Sequence, residues 1–192
     1  MNKLIPTQIT SALLAFAMAL PLGYAAKPAL NATYKVVGSS SCQSNDVGFS
    51  DYPILGALGS NIQVFTSWEA TMEFDDDGTV VETNHGQYAL PQVLQQPVGT
   101  FESECNYTST RNPDGTFDLI GACDGRVLSG VARNEKDHLQ PAVWKVTPAP
   151  GMILLSRVGT QVETLSTDLT GTHYRICQGT AIGVKQRGRD RD

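Results

Sequence analysis

The sequence has no Cys-x-x-Cys pair, no His-x-His or His-Glu-x-x-His spacing, no Gly-x-Ser-x-Gly elbow and no glycine-rich phosphate loop ahead of a helix. These absences remove the sequence grounds for a zinc ribbon or dithiol site, a zinc protease helix, a serine nucleophile and a nucleotide cradle. We therefore assign no catalytic residue, no metal ligand and no cofactor, and expect a protein that is not an enzyme. Charge is also scarce. Charged residues make up 17% of the chain, and the net charge is −5. A chain without a basic excess cannot neutralise a phosphate backbone, so a general nucleic-acid binder is excluded, as is a polybasic membrane-surface module. A hydrophobic content of 41% excludes a wholly disordered chain.

Long apolar runs are missing too, apart from Ala12 to Leu22 behind Lys3. That run has the length of a signal-peptide core and is short for a bilayer span. Gly23-Tyr24-Ala25 then places small residues where signal peptidase reads them. Residues 1–25 are expected to be a signal peptide. Their removal leaves 167 residues and, with one Lys gone, a net charge of −6. The compact leader reads as bacterial Sec export to the periplasm or outside, with no membrane attachment after cleavage.

Export decides how the four cysteines are read. An even count in an oxidising compartment favours two disulfides. Spacing alone leaves three pairings open, but a hairpin selects one. Asn112-Pro113-Asp114-Gly115-Thr116 has proline at a turn corner and glycine at a following positive-φ position. If Asn112 faces Thr116, paired residue numbers sum to 228, and Cys105 faces Cys123. The same register puts Phe101, Cys105, Tyr107, Phe117, Leu119, Cys123 and Val127 on one face. The other face carries Glu102, Glu104, Asn106, Thr108, Asp118 and Asp124, with Ile120 as the exception. The pairing Cys105–Cys123 follows, and Cys42–Cys177 follows by elimination.

The same grammar recurs. Asp75-Asp76-Asp77-Gly78-Thr79 is a second turn, preceded by the alternating stripe Ile62, Val64, Thr66, Trp68, Ala70, Met72, Phe74. A calcium loop there would need distal ligands and flanking helices, which are missing. Its register sums to 154 and turns Glu82 and Asn84 inward. Pro148 to Gly151 is a third turn, between Ala142–Thr147 and Met152–Val158. The first strand is expected at Ala32–Val37 and the last at Thr172–Val184, with Tyr174, Ile176, Ile182 and Val184 on one face. Ser39–Ser60 is expected to be a loop with a short helical turn at Tyr52–Leu58, Asn134–Gln140 a loop, and 185–192 a flexible charged tail.

About eight strands in meander order fit an all-β fold. We expect an antiparallel up-and-down β-barrel over residues 26–184, with a β-sandwich as the alternative. Met72-Glu73-Phe74-Asp75-Asp76-Asp77-Gly78-Thr79-Val80, followed by Val98-Gly99-Thr100-Phe101-Glu102-Ser103-Glu104-Cys105, resembles uncharacterised bacterial secreted proteins that look like lipocalin-type small barrels. The resemblance covers about a third of the chain. It implies a lipocalin-like barrel and names no activity.

Large inward side chains of a small barrel either fill it or line a pocket. The candidate ligand-contacting residues are Trp68, Met72, Glu82, Tyr88, Phe101 and Tyr107. The leading expectation is an exported, disulfide-stabilised barrel that binds a small apolar or amphipathic ligand inside, with Tyr52, Ile54 and Leu55 in a lid. The alternative is a structural or protein-interaction barrel acting through its outer surface. A barrel enzyme of isomerase or hydrolase type is third.

Overall fold

The computed structural model describes residues 30–46, 48–49, 62–93, 97–157 and 162–187. The expected signal peptide, the Tyr52–Leu58 turn with its lid residues, and the end of the charged tail lie outside them.

Nine strands form one antiparallel sheet: β1 (Ala32–Asn45), β2 (Ile62–Phe74), β3 (Thr79–Ala89), β4 (Val98–Arg111), β5 (Phe117–Ser129), β6 (Lys136–Ala149), β7 (Met152–Arg157), β8 (Val162–Thr167) and β9 (Gly171–Lys185). Each pairs with its sequence neighbour from β1 to β7, and β1 pairs with β9 to close the sheet. β7 and β8 share one lane. Both lie between β6 and β9, β7 against Lys145–Ala149 and β8 against Asp137–Gln140. The result is a closed barrel of eight lanes. Closure satisfies every edge, as an up-and-down barrel requires.

Both hairpin registers are those read from the sequence. Met72 faces Glu82 and Phe74 faces Val80. Cys105 faces Cys123, and Phe101 faces Val127. Gly78 and Gly115 take φ of 89° and 87°, the left-handed conformation that the turns demand. Cysteines opposed across the ladder bring their sulfurs together, and both disulfides are formed. The Cα atoms are 3.9 Å apart in Cys105–Cys123 and 4.1 Å apart in Cys42–Cys177. The second bridge joins β1 to β9 across the seam of the barrel.

Three boundaries differ from the sequence reading. β1 continues through Ser39 to Asn45, where a loop was expected. β6 begins at Lys136, inside the expected Asn134–Gln140 loop. β8 was not anticipated at all. In all three segments the inward side chains are largely polar, so apolar alternation gives no signal. The face of β9 that carries Ile182 and Val184 turns outward and is exposed, and small residues (Ala181, Gly183) fill the inner face.

The barrel is divided along its axis. The end bearing the three hairpin turns is plugged by Tyr34, Val36, Met72, Phe74, Val80, Leu119, Val146, Ile153 and Leu155, all buried in one cluster. Tyr34 packs edge-on against Phe74, with ring centroids 5.5 Å apart. Gly38 makes one key fit possible: a Cβ there would lie 2.5 Å from the Trp68 ring and 2.7 Å from Ala181.

Candidate functional site

The other half of the barrel is hollow. Its cavity measures about 260 Å³ and draws its walls from nearly every strand. A single water needs roughly 10–15 Å³ and sites for drug-sized ligands run from about 300 to 1,000 Å³, so this space exceeds a water pocket and suits a small molecule. Trp68 and Trp144 mark the boundary with the plug, their rings edge-to-face at 5.7 Å. Above them, Tyr88 and Phe101 supply apolar wall near the mouth. The Tyr88 hydroxyl donates to the Ser129 carbonyl at 3.1 Å, which fixes the ring.

One wall is a hydrogen-bonded carboxyl. β3 alternation turns Glu82 inward, opposite Met72 on β2 and Cys105 on β4. Its Oε1 accepts from the Asn84 amide and its Oε2 from the Tyr107 hydroxyl, each at 2.8 Å. Asn84 is held in turn by the Ser103 hydroxyl, which donates to it at 2.8 Å. Burial pushes the Glu82 carboxyl up, against those hydrogen bonds and the charge of Arg157. Burial and the adjacent Glu82 charge push the Tyr107 phenol well up.

The facing wall is an ion cluster built at the β7/β8 join. Arg157 Nη2 donates to Glu163 Oε1, and Arg175 Nε donates to Glu163 Oε2 at 2.9 Å. The side chains are 9%, 3% and 21% exposed for Arg157, Glu163 and Arg175. The Arg157 guanidinium stacks 5.1 Å from the Trp144 ring centroid, a cation–π contact. Burial pulls its pKa down from the ordinary value, and the Glu163 carboxylate opposes that pull. Asp137 lines the same end, its carboxyl pushed up by burial against the attraction of Arg175.

At the rim, His173 Nδ1 meets Asp46 Oδ1 at 2.6 Å and its Nε2 meets Thr170 Oγ1 at 2.8 Å. The Thr170 hydroxyl donates to Glu135 Oε1 at 2.7 Å, so it offers the ring an acceptor only. The chain Asp46–His173–Thr170–Glu135 is thus a tie between the end of β1 and the β8–β9 turn, and lacks an activated nucleophile. His85 and His138 sit on the outer face beside Glu69 and Asp124. No group of three metal-ligating side chains occurs among the described residues. The acidic run ends in a turn cap, with Asp77 Oδ1 accepting the Thr79 N–H at 2.8 Å.

Of the six residues singled out from the sequence, Trp68, Glu82, Tyr88, Phe101 and Tyr107 line the cavity. Met72 does not. It is fully buried in the plug, two inward positions past Trp68 on β2. Sequence reasoning missed Trp144, Arg157, Glu163 and Arg175. Trp144 had a signal, since it alternates with Ala142 and Val146. The other three had none, because charged residues at inward positions read as loop or outer face.

The chain matches no protein-family model and no curated protein. Solved structures do match. Neisserial surface protein A (NspA) is similar over 80% of this chain and 97% of its own, at 9% identity and a TM-score of 0.52. Ail, the attachment invasion locus protein of Yersinia pestis, aligns over 81% of this chain and 99% of its own, at 11% identity and a TM-score of 0.39. At such identity the likeness to NspA concerns the fold. The chain is a disulfide-bonded antiparallel β-barrel closed through eight lanes, the architecture it shares with NspA.

Proposed function

We propose that this protein is an exported barrel that stands in water and binds a small amphipathic ligand in the hollow half of its interior. The cavity of about 260 Å³ carries the reading. A barrel needed only as a scaffold would extend its apolar plug to both ends, since close packing stabilises it. Here the plug stops at Trp68 and Trp144, and the wall beyond mixes aromatic rings with hydrogen-bonded polar groups. That mixture is typical of small-molecule sites. The outer face supports the aqueous setting. A membrane-spanning barrel turns an apolar band outward. Here Glu69, Glu73, Glu102, Glu104, Asp118, Asp124 and Arg126 point outward and are mostly exposed, and Arg126 donates to Glu102 at 2.7 Å. The resemblance to lipocalin-like secreted barrels and the expected signal peptide agree with a periplasmic or secreted location.

Native mass spectrometry of protein purified without denaturation tests the reading. A bound mass that disappears on denaturation is the expected result. Absence of any bound mass, together with no binding of an apolar dye, would refute it.

A second reading has its own observation. Val37 on β1 faces Ile182 on β9, which faces Leu154 on β7, and Val184 is the next outward residue along β9. All four are exposed and adjacent, forming an apolar row on the outer face, where Phe65, Ile120 and Leu128 are exposed on other strands. An interaction barrel would use this row, with a second copy as the simplest occupant. Sedimentation should then show a concentration-dependent dimer that the double variant Leu154→Lys/Ile182→Lys abolishes. A strictly monomeric parent removes this support.

A further inference from the structure

The cavity wall also indicates which amphipathic molecules fit. Arg157 and Arg175 both line the cavity, and both spend their ion pairing on one carboxylate. Among the described residues, Glu163 is the only acid within ion-pair distance of either guanidinium. A pair of guanidiniums carries ten N–H donors' worth of capacity in two planar forks, far more than one carboxylate can absorb. The shortfall is visible: Arg157 Nε is buried and has no hydrogen-bond partner among the described residues. A buried, unpartnered donor on a cation is costly unless something arrives to accept from it. Two of the other three acids lining the cavity are engaged elsewhere, and Asp137 attracts Arg175 only from beyond ion-pair distance. Glu82 is bonded to Asn84 and Tyr107, Glu135 to Thr170, and Asp137 makes no ion pair with either arginine.

We propose that Arg157 and Arg175 form an anion-recognition subsite, and that the ligand is an amphipathic organic monoanion. Its acid group accepts from the two guanidiniums, and its apolar body lies against Trp68, Tyr88 and Phe101. The two guanidiniums share one paired carboxylate, and Glu82, Glu135 and Asp137 also line the cavity, so a single negative charge is the most the subsite can take. This inference rests on the cavity being a ligand site, and it deepens that reading by naming the ligand's chemistry.

The test uses two dyes with the same apolar body, 1-anilinonaphthalene-8-sulfonate (anionic) and N-phenyl-1-naphthylamine (neutral), with the folded full-length protein. The parent should bind the anionic dye more tightly. Arg175→Gln, at the more exposed guanidinium, should lower the ratio of anionic to neutral affinity about tenfold, the scale of one charge-assisted hydrogen bond. Glu163→Gln should raise that ratio, because it frees positive charge. Thermal unfolding of each variant confirms that the comparison is between folded proteins. Competition then identifies the body: displacement of the anionic dye by decanoate names an alkyl acid, by 2-naphthoate an aryl acid, and either supports the proposal. Equal affinity for both dyes in the parent, or a ratio unmoved by Arg175→Gln, overturns the anion subsite and leaves the cavity reading standing. Binding of neither dye overturns both.

Discussion

The two disulfides offer a controlled comparison. Each joins cysteines directly opposed in the ladder, and all four cysteines are buried. Replacing either pair by alanine therefore removes similar packing. What differs is the loop each bridge closes: 18 residues apart for Cys105–Cys123 and 135 for Cys42–Cys177. In the chain-entropy account, a bridge stabilises by restricting the unfolded chain, and the benefit grows with the logarithm of the loop. The shorter loop then contributes about 3 kcal/mol and the longer about 5 kcal/mol. Cys42→Ala/Cys177→Ala should cost about 1.8 kcal/mol more than Cys105→Ala/Cys123→Ala, from the ratio of the two loop lengths. At about 2–4 °C per kcal/mol for a chain of this size, Tm should fall about 4–7 °C further. Urea unfolding of the parent and both double variants measures this. The urea dependence should also steepen more for the seam variant, whose unfolded state expands more. Equal costs, or a larger cost for the short loop, would refute the claim that loop entropy sets the difference.

Glu82→Gln should stabilise the protein at neutral pH, measured as Tm. Burial raises the folded carboxyl above its ordinary 4.5. The parent's contribution from this group is whole below that value and declines as pH rises, so the gain should vanish as pH falls below about 4.5. The His138 ring, raised first by its hydrogen bond to Asp124, should titrate above 6.5 by NMR. Asp124→Asn should bring it back toward 6.5, and an unmoved midpoint would mean another group holds the proton. Gly121→Ala should destabilise by roughly 1–3 kcal/mol, because its Cβ would collide with the Asn106 carbonyl oxygen across the β4–β5 ladder, and backbone cannot swing away. A Tm unchanged from the parent would show that the ladder relaxes there.

Legibility followed polarity along the barrel axis. At the plugged end, turn chemistry and alternation agree, so Gly78 and Gly115 fixed two registers and one disulfide followed from counting. At the mouth, the cavity-lining side chains include Ser40, Asp137, Thr167 and Arg175, with Glu163 buried against Arg175. A strand whose inner face is polar looks like a loop, which is why the ends of β1 and β6 and the whole of β8 escaped notice. The half that carries the candidate site is therefore the half whose strands are hardest to read. Glu82 and Asn84 were legible because the plugged-end register of β2 and β3 extends into the hollow half and carries them inward. Arg157 and Glu163 become neighbours only because β7 and β8 share a lane, and no local pattern announces that.

The β1–β9 pairing has a practical corollary for handling the molecule. Tyr34 lies opposite Lys185, and the Gln186 N–H donates to the Thr33 carbonyl at 2.8 Å. The two ends of the barrel chain thus leave side by side at the plugged pole, a full strand length from the mouth. A tether, affinity tag or fluorophore attached at either end would hold the protein with its opening facing the solution. A short peptide joining the two ends, with a new break at the exposed Pro113–Gly115 turn, would give a circular permutant whose cavity and seam are untouched.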